Sequence, residues 1–248
     1  YERLADLSVA HLYNLRKSTG YQTQRTTFVG TRPVRNTIGL RKAPAPEGCA
    51  GFVRIDTVHQ GDLDGVKGVY HITCVDSISQ WQVQACVQGI SEAFLLPVLA
   101  LVLTQFPFAV QGFHSDNGSE YINHQVAKLL EKLRIEQTKS RSRHSNDNAL
   151  AESKNASVVR KHMGYLRYDS EAARTAMNDV YADLRLLQNL FLPSVKRLAK
   201  ERVGARRRRR YDVPRTPLER VQACPEADPQ AVAESRSARS LRRGQGHR

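Results

Sequence analysis

The sequence predicts a mixed α/β fold, a five-stranded sheet with helices on its faces in the order βββαβαβα. Two observations predict it. Three consecutive runs rich in β-branched and aromatic residues, "GFVRIDTV", "GVYHITCV" and "WQVQACV", are separated by polar turns, and beyond them helical and extended patterns alternate. The 248 residues, 40% hydrophobic and 25% charged, are enough for one core of roughly 100 to 200 residues with smaller appendages.

Taken in order, residues 2–18, "ERLADLSVAHLYNLRKS", space Leu4, Leu7, Leu12 and Leu15 as helices do, with Ser8 placed to cap a second short helix. Residues 1–18 thus read as a partial helix-turn-helix with His11, Asn14, Arg16 and Lys17 toward DNA. Residues 19–50, rich in Thr, Arg, Pro and Gly, read as a basic linker. The core follows over 51–165. Its first three strands are 51–58, 68–75 and 81–87, the last two joined by a short polar turn. Ser91 caps a helix to about Phe106, and 109–115 is the fourth strand. A helix over about 119–133 carries Val126, Leu129, Leu130 and Leu133 on one face; 134–140 is the fifth strand, and about 148–163 a further helix. Within 166–221, a helix near 171–190 leads to "RRRRRYDVPRTPLERV", 206–221, either part of a small β module or a solvated charge run. Residues 222–248, with few large apolar groups, are expected to be disordered.

Charge is unevenly placed. Basic minus acidic residues give 8 − 3 = +5 over 1–50, 2 − 7 = −5 over 51–120, 15 − 8 = +7 over 121–200 and 13 − 6 = +7 over 201–248. An acidic block inside a basic chain suits metal-binding carboxylates that work on a polyanion. Cys49, Cys74, Cys86 and Cys224 form no Cys-x-x-Cys pair, so neither a zinc site nor a disulfide framework is expected, and reduced thiols fit a cytoplasmic protein. The chain begins at Tyr1, which reads as a fragment of a longer product, and shows no targeting segment. The apolar run 93–110 is broken by Pro97, Thr104, Gln105 and Pro107, so a buried helix followed by a strand is expected rather than a membrane span.

Three carboxylates fall where this fold can gather them. Asp56 lies in the first strand, Asp116 ends the fourth and Glu152 opens the helix of 148–163. The first and fourth strands can be neighbours, with that helix laying its first turn across their ends. Asp116-Asn117-Gly118 is also a good turn on local grounds alone. Transfer at a phosphodiester needs its attacking and leaving oxygens stabilised, which two hard divalent ions about 4 Å apart can do. Mg²⁺ takes oxygen ligands, so Asp56 would bridge the ions while Asp116 and Glu152 complete the two sites. Asp62, Asp64, Asp76 and Glu120 are competing acids with turn or cap readings. His114, two residues before Asp116 on the same strand face, is a candidate to support it.

"RIDTVHQGD", "HSDNGSEY" and "NDNALAESKN", with 35 residues between Asp116 and Glu152, resemble the D,D(35)E signature of the retroviral-integrase-like transposases of bacterial insertion sequences. The similarity covers about 51–165 and, more weakly, 2–18 and "RTPLERV". It implies an RNase H-like core, two Mg²⁺ or Mn²⁺ ions per site, DNA cutting and strand transfer at element ends, and a homo-oligomer on DNA in the bacterial nucleoid. Many relatives carry a Lys about seven residues beyond the Glu; here that position is Val159, with Lys154, Arg160 and Lys161 as candidates for its role. Arg141 and Arg143, in the loop before Glu152, and Arg206, Arg207, Arg208, Arg209 and Arg210 are the further expected phosphate contacts. Two other readings stay open: an RNase H-like nuclease, and an inactive or truncated transposase-derived DNA-binding protein.

Overall fold

The computed structural model describes residues 6–27, 36–46, 48, 50–144, 146–203 and 206–224. Two short helices come first, α1 (Val9–Leu15) and α2 (Thr19–Gln24), capped by the hydroxyls of Ser8 and Ser18; neither buries a residue. Strand β1 (Leu40–Arg41) precedes the long β2 (Phe52–His59), a minor hairpin β3 (Asp62–Leu63) and β4 (Val66–Lys67), then β5 (Tyr70–Asp76) and β6 (Gln82–Val87). Helix α3 (Glu92–Leu103), β7 (Gly112–Ser115), α4 (His124–Lys132), β8 (Glu136–Lys139) and α5 (Ala149–Lys154) follow. From α5 the chain continues through a π-helical segment (Asn155–Arg160) into α6 (Lys161–Met163).

Five of these strands stand in the order β6-β5-β2-β7-β8, with β2, β5 and β6 antiparallel and β2, β7 and β8 parallel. This is the mixed sheet expected of an RNase H-like core. A sixth strand corrects the expectation of five: β1 pairs in parallel with β8, Leu40 opposite Thr138. The segment read as a linker therefore holds α2 and an edge strand. Side chains beyond the strand itself fasten it, since Lys139 Nζ donates to the carbonyls of Asn36 and Ile38 and Arg41 donates to that of Ser140.

Val53 and Ile55 of the central β2 are fully buried, with Ile72, Leu95, Leu99 and Phe113 in the same core. The α3 helix is 12 residues long, and among the described residues no helix is long and apolar enough to cross a membrane. Helix α4 starts at His124, not near 119, because Asn123 Oδ1 accepts from the N–H groups of Gln125 and Val126 and so fixes the first turn there.

Edge strand β6 is covered by α7 (Glu171–Leu186) and the π-helical turn after it (Leu187–Phe191). The Asn178 amide donates to the Cys86 carbonyl and accepts from its N–H, and Asn189 does the same for Gln82. Two amides thus stand in for a seventh strand and close an edge that would otherwise pair with other chains.

Beneath α7 lies His71, fully buried with Nδ1 2.8 Å from the Tyr181 hydroxyl. Burial, and then the Arg160 charge, pushes its pKa down to about 3. The unfolded chain takes up this proton below about 6.5 while the folded one refuses it, so stability falls as pH drops from about 6.5 toward 3. Melting curves across that window should slope less steeply for His71→Gln than for the wild type.

At the C-terminal end, β9 (Arg197–Val203) and β10 (Arg206–Tyr211) form a two-stranded ribbon, which resolves the arginine run as β structure. Helix α8 (Pro217–Gln222) carries a Thr216–Glu219 capping box and buries Leu218 and Val221 in the main core. Arg220 ties the two together, donating to Asp212 at 2.6 Å and to the Ser194 carbonyl at 2.7 Å. The tail expected to be disordered, 222–248, begins in order instead, since Gln222 ends α8 and Cys224 packs against the main core; 225–248 lie outside the described residues.

Candidate active site

Asp56 sits midway along β2, two residues past the last pair that strand makes with β7, Arg54 opposite His114. Its Oδ1 accepts from the Thr57 N–H at 2.9 Å and its Oδ2 from the Asn155 amide at 2.7 Å. Burial raises its carboxyl to about 7, helped by the charges of Asp116, Glu152 and Glu120, while the Thr57 bond opposes the rise. Asp116 follows directly on β7, with Oδ1 accepting from the Gly118 N–H at 2.9 Å. The local turn reading is therefore true of one oxygen, and the carboxylate still bears on Asp56. Glu152 lies exposed in the first turn of α5.

Two residues that the sequence reading passed over hold α5 against β2. Asn148 donates to the Ile55 carbonyl, immediately before Asp56, and Asn155 donates to Asp56 itself. Both stand in "NDNALAESKN". They are seven residues apart and flank Glu152, a helical spacing that places all three toward one neighbour. Glu120 was read as a helix-start acid, yet it is 6% exposed and its carboxylate folds back over Gly118. A Cβ at Gly118 would stand 2.3 Å from Glu120 Oε2, so the glycine makes room for a fourth acidic group.

The remaining candidates take several places. Both ring nitrogens of His114 face hydroxyls, Thr138 at 2.9 Å and Ser140 at 3.2 Å, rather than a carboxylate. Arg141 grips Asp147 through Nε and Nη2 at 3.0 and 2.9 Å, which drives that carboxyl down to about 2 and braces the loop entering α5. Arg143 is exposed at a left-handed turn position, φ +62°. Arg160 turns inward, donating to Gln60 and to the His59 and Gly164 carbonyls. Lys161 is exposed and Lys154 half-buried, while Val159 packs fully buried. Arg206–Arg210 run along β10, where Arg208, Arg209 and Arg210 are exposed.

Asp76, 0% exposed, is spent on structure. Its oxygens accept from the N–H groups of Gly51, Phe52, Ile78 and Ser79 and from the Ser79 hydroxyl. Asp62 faces His59 at 3.1 Å, and Asp64 occupies a turn with φ +50°. Among the described residues, no group of three or more His, Cys, Asp or Glu side chains is drawn together closely enough to grip an ion as it stands. The donor chemistry nonetheless suits Mg²⁺ or Mn²⁺: the groups are all hard oxygens, and the repulsion that adds to burial in lifting Asp56 is what a divalent cation relieves.

No family model matches the chain. An uncharacterised protein of Sinorhizobium fredii (strain NBRC 101917 / NGR234), y4rM, is 34% identical over 194 residues, which is 78% of this chain and 54% of the relative. The chain thus spans about half the length of that relative. Among solved structures, similarity is found to a chain of the simian T-cell lymphotropic virus intasome in complex with PP2A regulatory subunit B56 gamma (14% identity, TM-score 0.44, 76% of this chain and 63% of that one). It is also found to the catalytic core domain of BIV integrase (15% identity, TM-score 0.43, 70% of this chain and 95% of that one).

Proposed function

We propose that this chain is a DDE-type transposase that cuts DNA at the ends of an insertion element and joins the resulting 3′-hydroxyl to target DNA. One observation carries the reading: Asp56, half-buried on the central strand, is lifted to about 7 by burial, with the charges of Asp116 and Glu152 adding to it, at the spacing of the D,D(35)E signature. Carboxylates set against one another in this way on two adjacent inner strands serve no packing purpose.

Asp56, Asp116 and Glu152 would hold the two Mg²⁺ or Mn²⁺ ions. When bound, these supply positive charge to the attacking and leaving oxygens of an in-line displacement. The rest falls to the protein. Asn155 fixes the Asp56 rotamer, Asn148 fixes the height of α5, and the Arg141–Asp147 pair holds the loop between β8 and α5 in place. Arg143, Lys154, Lys161 and the β10 arginines then serve as phosphate contacts, which position DNA without reading its sequence. Two element ends require at least two copies of the chain.

Incubating a labelled oligonucleotide bearing a free 3′-hydroxyl with plasmid target and Mn²⁺ tests the reading against a hydrolytic nuclease. Joined products are expected. Hydrolysis of an RNA–DNA hybrid without any joining would replace the transposase reading with that of a nuclease.

A further inference from the structure

A cleft of about 300 Å³, lined by none of the three carboxylates, opens between the helix that carries Glu152 and the π-helical turn that ends α7. Lys154 and Lys161 line one wall, and Leu187, Gln188, Pro193 and Ser194 line the other. Each wall includes part of a π-helical segment, Ser157 and Val158 from Asn155–Arg160 and Leu187 and Gln188 from Leu187–Phe191, a local geometry often found at functional sites.

Gln188 is the unexplained group. It is 4% exposed, and neither its Nε2 nor its Oε1 has a hydrogen-bond partner. Its neighbour Asn189, equally buried, spends its amide on β6. Ser194 adds a buried hydroxyl that is likewise unbonded, although its backbone pairs with Arg215. A fold gains nothing by burying an amide unbonded when leucine would fill the same space. The Gln188 amide offers one donor and one acceptor side by side, the complement of a nucleobase edge. Leucine and proline beside it suit the faces of a flat ring. On the facing wall, Lys154 and Lys161 supply two ammonium groups to an anion.

We infer that this cleft binds a single unpaired nucleotide, with its phosphate at Lys154 and Lys161 and its base edge on the Gln188 amide. The volume is at the small end of ligand pockets and excludes a duplex. A base belonging to DNA must therefore be extruded from the stack to enter. This goes beyond the transposase reading and does not depend on it, because none of Asp56, Asp116 and Glu152 lines the cleft.

Fluorescence anisotropy in EDTA tests it without any activity. The probes are a labelled hairpin duplex with one bulged nucleotide, each base in turn, and the same hairpin fully paired. The full chain should bind at least one bulged probe about tenfold more tightly than the paired one. Gln188→Leu should erase that preference, keep the paired-probe affinity and melt no lower than the wild type. The Lys154→Ala/Lys161→Ala double variant should weaken the bulged probe most. Competition by deoxynucleoside 5′-monophosphates would show that free nucleotides also enter, whereas its absence would restrict the cleft to nucleotides within DNA. Equal affinity of the wild type for bulged and paired probes with no monophosphate binding, or a preference that survives Gln188→Leu, overturns the proposal.

Discussion

Asp56→Asn is expected to lower the proposed DNA cleavage and joining by about 10³-fold or more and at the same time to raise the melting temperature. The loss follows from the role assigned to Asp56 between the two ions. The gain follows from the sign of its pKa shift. A folded-state pKa raised to about 7 means that the fold prefers the protonated form, so ionised Asp56 opposes folding once pH exceeds the ordinary carboxylate range. Asparagine has the same shape and no charge. It can still accept from the Thr57 N–H, and Asn155, whose buried Oδ1 has no partner, can turn its amide to accept in place of donating. Cleavage assays and melting curves at pH 8 on the same preparation check both halves. Activity and stability lost together would make Asp56 a structural residue.

Asp76→Ala should destabilise the fold by about 3–5 kcal/mol, the largest stability effect expected of any acidic residue here. Its carboxylate accepts five hydrogen bonds, and removing it takes this acceptor from four backbone N–H groups, those of buried Gly51 and Ser79 and of half-buried Phe52 and Ile78, two of them where the chain enters β2. Burial alone would favour the protonated acid, and raises the pKa. Five donors converging on two oxygens are what make the charged form tenable. Asp76→Asn keeps one oxygen and should fall between the two. Denaturant unfolding decides the matter, and a loss under about 1 kcal/mol for alanine would refute this account of the β5 turn.

Much of this could be read from the residues. Strands β2, β5 and β6 follow from β-branched runs bounded by turns, and order and spacing singled out Asp56, Asp116 and Glu152 as the proposed site. What could not be read depended on partners distant in sequence. Strand β1 is two residues long and exists through its pairing with β8, so no local period marks it. The five arginines of β10 show no alternation, and only their register against β9 makes them a strand. Arg141 looked like a phosphate ligand until the loop brought Asp147 to it. Asn148 and Asn155 were visible as types and spacing, but an amide near a carboxylate has no meaning until the strand beneath it is known. The π-helical turns left no composition signal, since a helix widens in response to what packs against it.

The most direct measurement is cleavage and joining of a labelled element-end duplex with Mg²⁺ or Mn²⁺, comparing the full chain with Glu152→Gln. Glu152 is exposed on α5, so its loss should leave folding and DNA binding unchanged. Metal-dependent products from the wild type that vanish in Glu152→Gln are the predicted result. Products undiminished in the variant would contradict the account, because the carboxylate at the opening of α5 would then have no part in the chemistry.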